Sequence, residues 1–322
     1  MYRTSLQNIQ IFSNLKFFSD PPGYNRYTVI DIHTGNTIFV SIASYRDLEL
    51  VPTVENLLKN ARNPKNIYIS LVVQDKRFPD FSQLFSDYGI MGYSYQKIHY
   101  TNAKGVGYAR HLAQQPISNA HRYYLQIDSH TRMIPDWDYW MIKDHKMVTE
   151  IWGRSILSTY PPAYNILRDG SYTVDDSYVP VVKILKADDD IKFNPKYFEH
   201  EIDVSLGYRS GYFAAGQAFG FAEDFYNTPY DPDLYFWGEE QTLSLRFYEK
   251  GINIICPPRN YLFHDYEGSR RIRHWDSGKI VDTYKSRSKR HIRECYKAIL
   301  PTYGLMNEDT LDSFMSEFVH GT

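Results

Sequence analysis

The sequence predicts an α/β fold in which a mixed, mainly parallel central sheet is flanked by helices. Two observations support this prediction. Short apolar runs rich in β-branched residues alternate with stretches of helical spacing, which is the pattern of parallel βαβ units. Polar clusters also follow directly after several apolar runs, as they do where ligands bind at the carboxyl ends of strands. The chain has 322 residues, enough for one large domain or two modest ones.

The first strand, helix and strand follow one another from residue 37. Residues 37–43 (TIFVSIA) are short, apolar and β-branched, which predicts a buried strand. Residues 48–61 have the apolar spacing of an amphipathic helix. Residues 66–74 (NIYISLVVQ) predict a second buried strand, and residues 93–100 predict a third, weaker one. This part of the chain therefore favours parallel pairing.

The next helix and strand complete the predicted half-sheet. A helix is expected at 109–115, after two glycines, and a fourth strand at 123–127 (YYLQI). Polar groups stand at three predicted strand ends: residues 44–46 (SYR), Asp75 and the triplet at 128–130 (DSH). Because the carboxyl ends of parallel strands share one edge, we expect these groups to line a ligand site.

The second half of the chain has a less regular pattern. Residues 168–190 are polar and predict loops. Further elements are expected at 135–150 (helix), 155–160 (strand), 237–250 (helix, ended by Gly251), 252–256 (strand), 261–264 (short strand or turn) and after Leu300 (a closing helix).

Composition and charge exclude several classes of protein. The formal net charge is -2, whereas nucleic-acid binders show a strong basic excess. Two cysteines are too few for a disulfide framework and fit a reducing compartment. The polar N-terminus has no apolar core of a signal peptide, and no run is long enough to cross a membrane. We therefore expect a cytoplasmic protein that binds no nucleic acid.

The triplet Asp128-Ser129-His130 is the first candidate for chemistry. Asp128 and His130 project to the same side because they are two residues apart on an extended chain. A carboxylate and an imidazole are good ligands for Mn²⁺ or a similar divalent ion. His264, after a later apolar strand, is available as a third ligand. The alternative is that these residues bind no metal, Asp128 being a turn-forming residue and the two histidines ordinary surface residues.

Two further segments are candidates for ligand contacts. Trp237 and Gly238 precede Glu239 and Glu240, which open a helix; acids are favoured there by the helix dipole, whether or not they also meet a ligand. The side chain of Trp237 is suited either to stacking on a ring of the ligand or to burial in the hydrophobic core. Residues 102–110 (NAKGVGYAR) lack the full dinucleotide fingerprint, so a nicotinamide site is rejected. The segment is still compatible with a phosphate bound near Arg110 at a helix N-terminus.

These residues, in this order, resemble a GT-A glycosyltransferase. The similarity is to the family of UDP-GlcNAc-dependent polypeptide transferases of the Skp1-hydroxyproline type, and more distantly to mucin-type polypeptide GalNAc-transferases. The set of matching segments is specific, although each piece alone is not. The segments are FVSIASYRD at 39–47, GYARHLA at 107–113, QIDSHTRM at 126–133, AGQAFGFAEDF at 215–225, YFWGEEQTLSLRFYEKG at 235–251 and FHDYEG at 263–268.

The resemblance implies a retaining transfer of a sugar from a UDP-sugar with Mn²⁺, and the sugar is expected to be GlcNAc. It implies that Asp128, His130 and His264 bind the metal. The donor would be held by residues near the strand ends, namely Ser41, Ala43, Tyr45, Arg46, Asp75, Arg110 and Gln217. Either Glu239 or Glu240 would contact sugar hydroxyls, and Trp237 is a candidate for stacking on a sugar ring. No general base is assigned, because in such enzymes the leaving phosphate takes the acceptor proton.

The resemblance also divides the chain. Residues 1–36 are expected to be a leader or accessory segment, residues 37–276 the catalytic domain, and residues 277–322 a basic helical segment packed on it. The basic stretch 268–290 is expected either to cover the diphosphate or to be a solvated helix. The acceptor is expected to be a hydroxyl of a protein or a glycan. A GT-A-like module that binds sugar or protein without catalysis is the alternative, and a metal hydrolase fits less well.

Overall fold

The computed structural model describes residues 27–28, 35–185, 194–198, 202–268, 272 and 280–319. Almost all of the predicted leader lies outside the described residues. In the described part, the helices are α1 (Leu50–Asn60), α2 (Ser82–Tyr88), α3 (Val106–Gln114), α4 (Trp137–Trp152), α5 (Ala222–Tyr226), α6 (Glu239–Glu249), α7 (Ile280–Tyr296) and α8 (Asp309–Phe318). The strands are β1 (Tyr27–Thr28), β2 (Ile38–Tyr45), β3 (Ile67–Asp75), β4 (Gly92–His99), β5 (Tyr123–Asp128), β6 (Thr131–Met133), β7 (Ser155–Ser158), β8 (Tyr164–Ile166), β9 (Tyr172–Val174), β10 (Val181–Leu185), β11 (Asn194–Phe198), β12 (Tyr208–Arg209), β13 (Gln217–Phe221), β14 (Asn253–Cys256) and β15 (Leu262–His264).

Nine of the described strands form one central sheet, in the order β1-β4-β3-β2-β5-β13-β7-β14-β12. The strands β4, β3, β2 and β5 are parallel neighbours. The strand β13 lies antiparallel between β5 and β7, and β14 is parallel to β7. Six of these nine strands consequently run in one direction, while β1, β13 and β12 run in the other. The predicted mixed, mainly parallel sheet flanked by helices is confirmed.

The strand β2 shows how the sequence produces the layers. Side chains alternate between the two faces of a strand. Ile38, Val40 and Ile42 belong to one buried cluster that also contains residues of α1 and α4, whereas Phe39 belongs to a second cluster. Both faces of β2 are therefore covered, which explains its nearly continuous apolar sequence.

The helix α1 buries one face, as its spacing predicts. Leu50, Val54, Leu57 and Leu58 are all buried, and burying a side chain of this type stabilises the fold by roughly 1.5–3 kcal/mol. The helix follows β2 directly and packs on the sheet. It thereby fixes the direction in which the loop 46–49 leaves the carboxyl end of β2.

The structure corrects the predicted start of α3. The helix begins at Val106, so that Gly107 lies inside it rather than before it. A Cβ on Gly107 would lie 2.2 Å from the carbonyl oxygen of Leu234. Glycine disfavours helices, but here it permits this close approach of two backbones. The contact places the segment that leads to α6 against α3.

The prediction of loops over 168–190 was wrong in part. Strand β9 pairs with β8 in a hairpin, and β10 pairs with β11. Strand β9 is exposed along its whole length, so it lacks the alternation of apolar and polar residues that identifies a half-buried strand. Residues 186–190, within the same stretch, lie outside the described residues.

The helices α7 and α8 follow the sheet in sequence. Ile292 and Phe314 are buried in one cluster with Leu245 of α6. The expected closing helix is thus present, although it begins at Asp309. Within the residues that the structure describes, no helix is both long and apolar enough to cross a membrane.

Candidate active site

A pocket of about 470 Å³ opens beside the carboxyl ends of β2 and β5. Ala43 near the end of β2 lies directly opposite Asp128 at the end of β5. This is the sheet edge at which the sequence places its polar groups. The opposite wall comes from the segment 236–241, which includes the start of α6.

Asp128, His130 and His264 meet in this pocket. His264 ends β15, which pairs antiparallel with β6, and this pairing sets His264 opposite Thr131. The Nε2 atom of His264 lies 3.1 Å from Oδ2 of Asp128, and the two imidazole rings are 4.5 Å apart. One potential ligand atom from each of the three residues falls within 4.8 Å of the others. A carboxylate with two imidazoles suits Mn²⁺ or Zn²⁺.

The second oxygen of Asp128 is bound by Arg110. Nη2 of Arg110 donates to Oδ1 of Asp128 at 2.7 Å, and Nη1 donates to Oε1 of Glu239 at 2.5 Å. Burial opposes ionisation of Asp128, but Arg110 and His264 outweigh it and hold the pKa of this carboxyl well below its usual value. The guanidinium therefore serves two carboxylates from different elements, instead of facing the pocket as an unpaired cation.

His130 is held from its other side by Asp47. Oδ2 of Asp47 accepts hydrogen bonds from Nδ1 of His130 at 2.7 Å and from the hydroxyl of Ser129 at 2.6 Å. Its Oδ1 accepts from the backbone N–H of Glu49 at 2.9 Å. Burial would raise the pKa of Asp47, but the hydrogen bond with His130 and the others lower it. An ionised carboxylate thus lies behind the imidazole.

Glu239 and Glu240 have different surroundings. Oε1 of Glu240 accepts from the backbone N–H of Ala215 at 2.8 Å, and its Oε2 accepts from the hydroxyls of Tyr160 at 2.5 Å and Tyr212 at 3.0 Å. Glu239 is bound by Arg110 through Oε1, while its buried Oε2 has no hydrogen-bond partner among the described residues. Burial raises the pKa of Glu239 to about 7, against the opposing effect of Arg110.

Most of the residues predicted for the site line the pocket. They are Ala43, Tyr45, Arg110, Asp128, His130, Trp237, Glu239, Glu240 and His264. Trp237 is 46% exposed. It is therefore not a residue of the hydrophobic core, which was one of its two predicted roles. Gly216 also lines the pocket, at a place where a Cβ would lie 3.3 Å from Pro161.

Four predicted donor-binding residues lie outside the lining of this pocket in the described structure. Ser41 in β2 and Gln217 in β13 are each 1% exposed. Arg46 has a φ of 48° and places its guanidinium 4.5 Å from the ring centre of Tyr100. The carboxylate of Asp75 accepts from the backbone N–H of Lys76 at 2.5 Å. Their predicted contacts with a nucleoside stay predictions.

Several residues of the site are not among those predicted from the sequence. Asp47, Tyr160 and Tyr266 line the pocket but were not selected. Asp47 ends the segment FVSIASYRD, so its place after a strand was an available indication. Tyr160 and Tyr266 come from loops whose position depends on distant pairing, and no local pattern identifies them.

The sequence of the chain matches the model of a known family. The chain matches the family model described as Glycosyltransferase (GlcNAc) over residues 37–87 and 93–316, which is most of its length. The chain belongs to the GlcNAc glycosyltransferase family. The pocket is therefore the candidate active site of a member of this family. Among curated proteins, none matches the chain significantly.

The chain is similar to solved structures of low sequence identity. The structure of GalNAc-T7 with UDP, GalNAc and Mn²⁺ superposes with a TM-score of 0.50 and 16% identity, covering 87% of this chain and 54% of that one. This chain thus spans about half the length of GalNAc-T7. The S. aureus TarS 1–349 complex with UDP-GlcNAc has a TM-score of 0.49 and 16% identity, covering 88% of this chain and 71% of that one. The similarity to the GalNAc-T7 structure confirms the predicted GT-A fold.

Proposed function

We propose that the chain is a metal-dependent retaining transferase that moves GlcNAc from UDP-GlcNAc to a hydroxyl acceptor. The observation that supports this most strongly is the convergence of Asp128, His130 and His264 in the pocket of a GlcNAc glycosyltransferase family member. A divalent cation bound there would act as a Lewis acid on the diphosphate leaving group.

The charge of the pocket supports metal dependence. Among the described lining residues, four carboxyl groups stand against a single guanidinium: those of Asp47, Asp128, Glu239 and Glu240 against that of Arg110. That guanidinium is already paired with two of the carboxylates. A diphosphate placed beside these groups would be repelled unless additional positive charge were present. A divalent ion on the three ligands supplies it.

The choice of donor rests on the family and on the fold. The family model names GlcNAc, and the GalNAc-T7 structure, whose fold is shared, contains UDP and Mn²⁺. The retaining outcome and a protein hydroxyl as acceptor follow the resemblance to the Skp1-hydroxyproline type of transferase. A glycan hydroxyl is the other acceptor class compatible with the resemblance.

The residues of the pocket have separate roles in this proposal. Glu239 meets a sugar hydroxyl, because its Oε2 has no partner among the described residues whereas both oxygens of Glu240 are occupied. Glu240 instead holds Ala215 and the adjoining Gly216. Arg110 holds Asp128 and Glu239 at a fixed separation rather than binding phosphate. The exposed ring of Trp237 packs against the donor or the acceptor.

Domain organisation and location are part of the proposal. Residues 37–276 would be the catalytic domain, and residues 277–322 would pack on it; the hydrogen bond from the N–H of Tyr235 to the hydroxyl of Ser288, at 3.0 Å, supports this packing. The unpaired thiols of Cys256 and Cys295 are consistent with a reducing compartment such as the cytoplasm.

A UDP-release assay tests the function. Purified protein is incubated with a panel of UDP-sugars, with Mn²⁺ or with EDTA. We expect slow hydrolysis of UDP-GlcNAc even without acceptor, faster than that of the other donors and only with Mn²⁺. Proton NMR should show that the α-anomer of GlcNAc appears first, since the donor is an α-glycoside. Equal release from all donors, or none, contradicts the proposal and favours a binding module.

A variant tests the metal assignment in the same assay. His130→Ala removes a proposed ligand, so UDP release and its stimulation by Mn²⁺ should fall at least 100-fold, on the order expected for loss of a positioned catalytic group. His99→Ala is the control, because His99 is exposed and does not line the pocket. Full Mn²⁺ stimulation in His130→Ala refutes the assignment.

A further inference from the structure

Asp47 is placed to control a residue of the proposed metal site. Its side chain is 2% exposed and makes three hydrogen bonds. Oδ1 accepts from the N–H of Glu49 at 2.9 Å, while Oδ2 accepts from Ser129 at 2.6 Å and from Nδ1 of His130 at 2.7 Å. Asp47 follows β2 and His130 follows β5, so this contact joins the ends of two neighbouring parallel strands.

The hydrogen bond to Asp47 determines the tautomer of His130. An ionised carboxylate only accepts hydrogen bonds, so Nδ1 of His130 must carry the proton. In the neutral ring, Nε2 then has a lone pair and becomes the nitrogen that binds an ion. In water an unconstrained imidazole favours the opposite tautomer, with the proton on Nε2.

We propose that Asp47 is a positioning residue that fixes His130 in the Nδ1–H tautomer and in the orientation required for binding the ion. This inference rests on the proposed metal dependence. Carboxylates that hold a metal-binding histidine from behind contribute about 10–100-fold to metal affinity. Asp47 does not itself belong to the group of potential ligands, which consists of Asp128, His130 and His264.

The substitution Asp47→Asn reverses the hydrogen bond with little change in shape. The N–H of Glu49 still has an acceptor, because the carbonyl oxygen of the asparagine takes the place of Oδ1. The NH₂ group then faces Nδ1 of His130 and donates to it, which forces the proton onto Nε2. A similar exchange of aspartate for asparagine behind a catalytic histidine gives the wrong tautomer in serine proteases.

The first measurement requires no metal. Two-bond ¹H–¹⁵N spectra of ¹⁵N-histidine-labelled protein report the tautomer of each ring, and His130→Asn identifies the signals of His130. In the metal-free wild type we expect the Nδ1–H form, and in Asp47→Asn the Nε2–H form. An Nε2–H tautomer in the wild type, or an unchanged one in Asp47→Asn, overturns the inference.

The second measurement is Mn²⁺ affinity, followed by electron paramagnetic resonance of the free ion. Asp47→Asn should bind Mn²⁺ about 10–100-fold more weakly than the wild type. Asp144→Asn is the matched control: Asp144 is 2% exposed and hydrogen-bonded to Arg259 and Tyr261, but does not line the pocket. Its affinity should equal that of the wild type.

The two measurements separate this inference from the proposed function. If the wild type does not bind Mn²⁺, the metal assignment fails, and with it any role for Asp47 in positioning a ligand. If the wild type binds Mn²⁺ and Asp47→Asn binds it equally well, only the role of Asp47 fails. Circular dichroism of each variant establishes that it is folded before its affinity is compared.

Discussion

At the scale of single residues, Arg110 is a buried cation that pairs with two carboxylates of the site. Its side chain is 7% exposed and pairs with Asp128 and Glu239, which are 24% and 6% exposed. Buried ion pairs add little net stability compared with apolar packing, but removal of one partner leaves an uncompensated charge. The value of Arg110 therefore lies in holding two carboxylates in defined positions.

Removal of this guanidinium should be costly. Arg110→Met leaves Asp128 and Glu239 without their cation, so the free energy of unfolding should fall by about 3 kcal/mol in urea denaturation. Arg62→Met is the control, because the Arg62–Asp136 pair is 42% exposed on both sides and solvent screens it. Equal stability losses in the two variants would contradict the structural role of Arg110.

At the scale of elements, the segment 231–238 depends on its contacts with two helices. The N–H of Val106 in α3 donates to the carbonyl oxygen of Tyr235 at 2.8 Å. On the other side, Ser288 of α7 accepts from the N–H of Tyr235. Gly238 has a φ of 97°, which favours glycine, and it ends the segment where Glu239 begins α6. The position of Glu239 is thus determined by packing between elements.

A substitution in α3 should disturb this packing. Gly→Ala inside a helix normally stabilises by about 0.5–1 kcal/mol, but the Cβ of Gly107→Ala would meet the oxygen of Leu234 at 2.2 Å. We expect a loss of about 1–3 kcal/mol in urea denaturation and a slower release of UDP, because Glu239 shifts. Gly35→Ala is the control, since nothing lies within 4 Å of its Cβ. A more stable Gly107→Ala would refute the contact.

At the scale of the whole molecule, two buried histidines make the fold sensitive to acid. His121 lies against the rings of Phe39 and Tyr68, and His145 lies against Phe219 and others. Burial lowers the pKa of each of them from 6.5 to about 4. The folded state therefore keeps both rings neutral at a pH where the unfolded chain already binds protons.

This linkage predicts the effect of pH on stability. The contribution of His145 is fully present above its unfolded pKa of 6.5 and is lost as pH falls towards 4, by about 3 kcal/mol in total. His145→Gln cannot be protonated, so the difference in free energy of unfolding between wild type and variant should change by that amount between pH 7 and pH 4. His99→Gln, at an exposed position, should show a much smaller change. Parallel pH curves for wild type and His145→Gln would disprove the linkage.

The amino-acid sequence alone determined the parallel half of the sheet and the presence of a strand-end triplet. Strands β2, β3 and β5 are predicted within two residues of their observed ends, because continuous β-branched apolar runs are a local property. The same holds for Asp128 and His130, whose mutual placement follows from the extended backbone between them. The fold class and the position of the pocket follow from these local patterns.

Only the tertiary structure decided which neighbours these residues have. Arg110 reaches Glu239 across 129 residues of chain, and His264 reaches Asp128 across 136. The antiparallel insertion of β13 between β5 and β7 likewise depends on pairing between distant segments. The difference between Glu239 and Glu240 is of the same kind. Both acids lie in the first turn of the same helix, and only their contacts with other elements distinguish them. The triplet Asp128-Ser129-His130 likewise becomes a candidate metal site only when the folded chain brings His264, Asp47 and Arg110 around it.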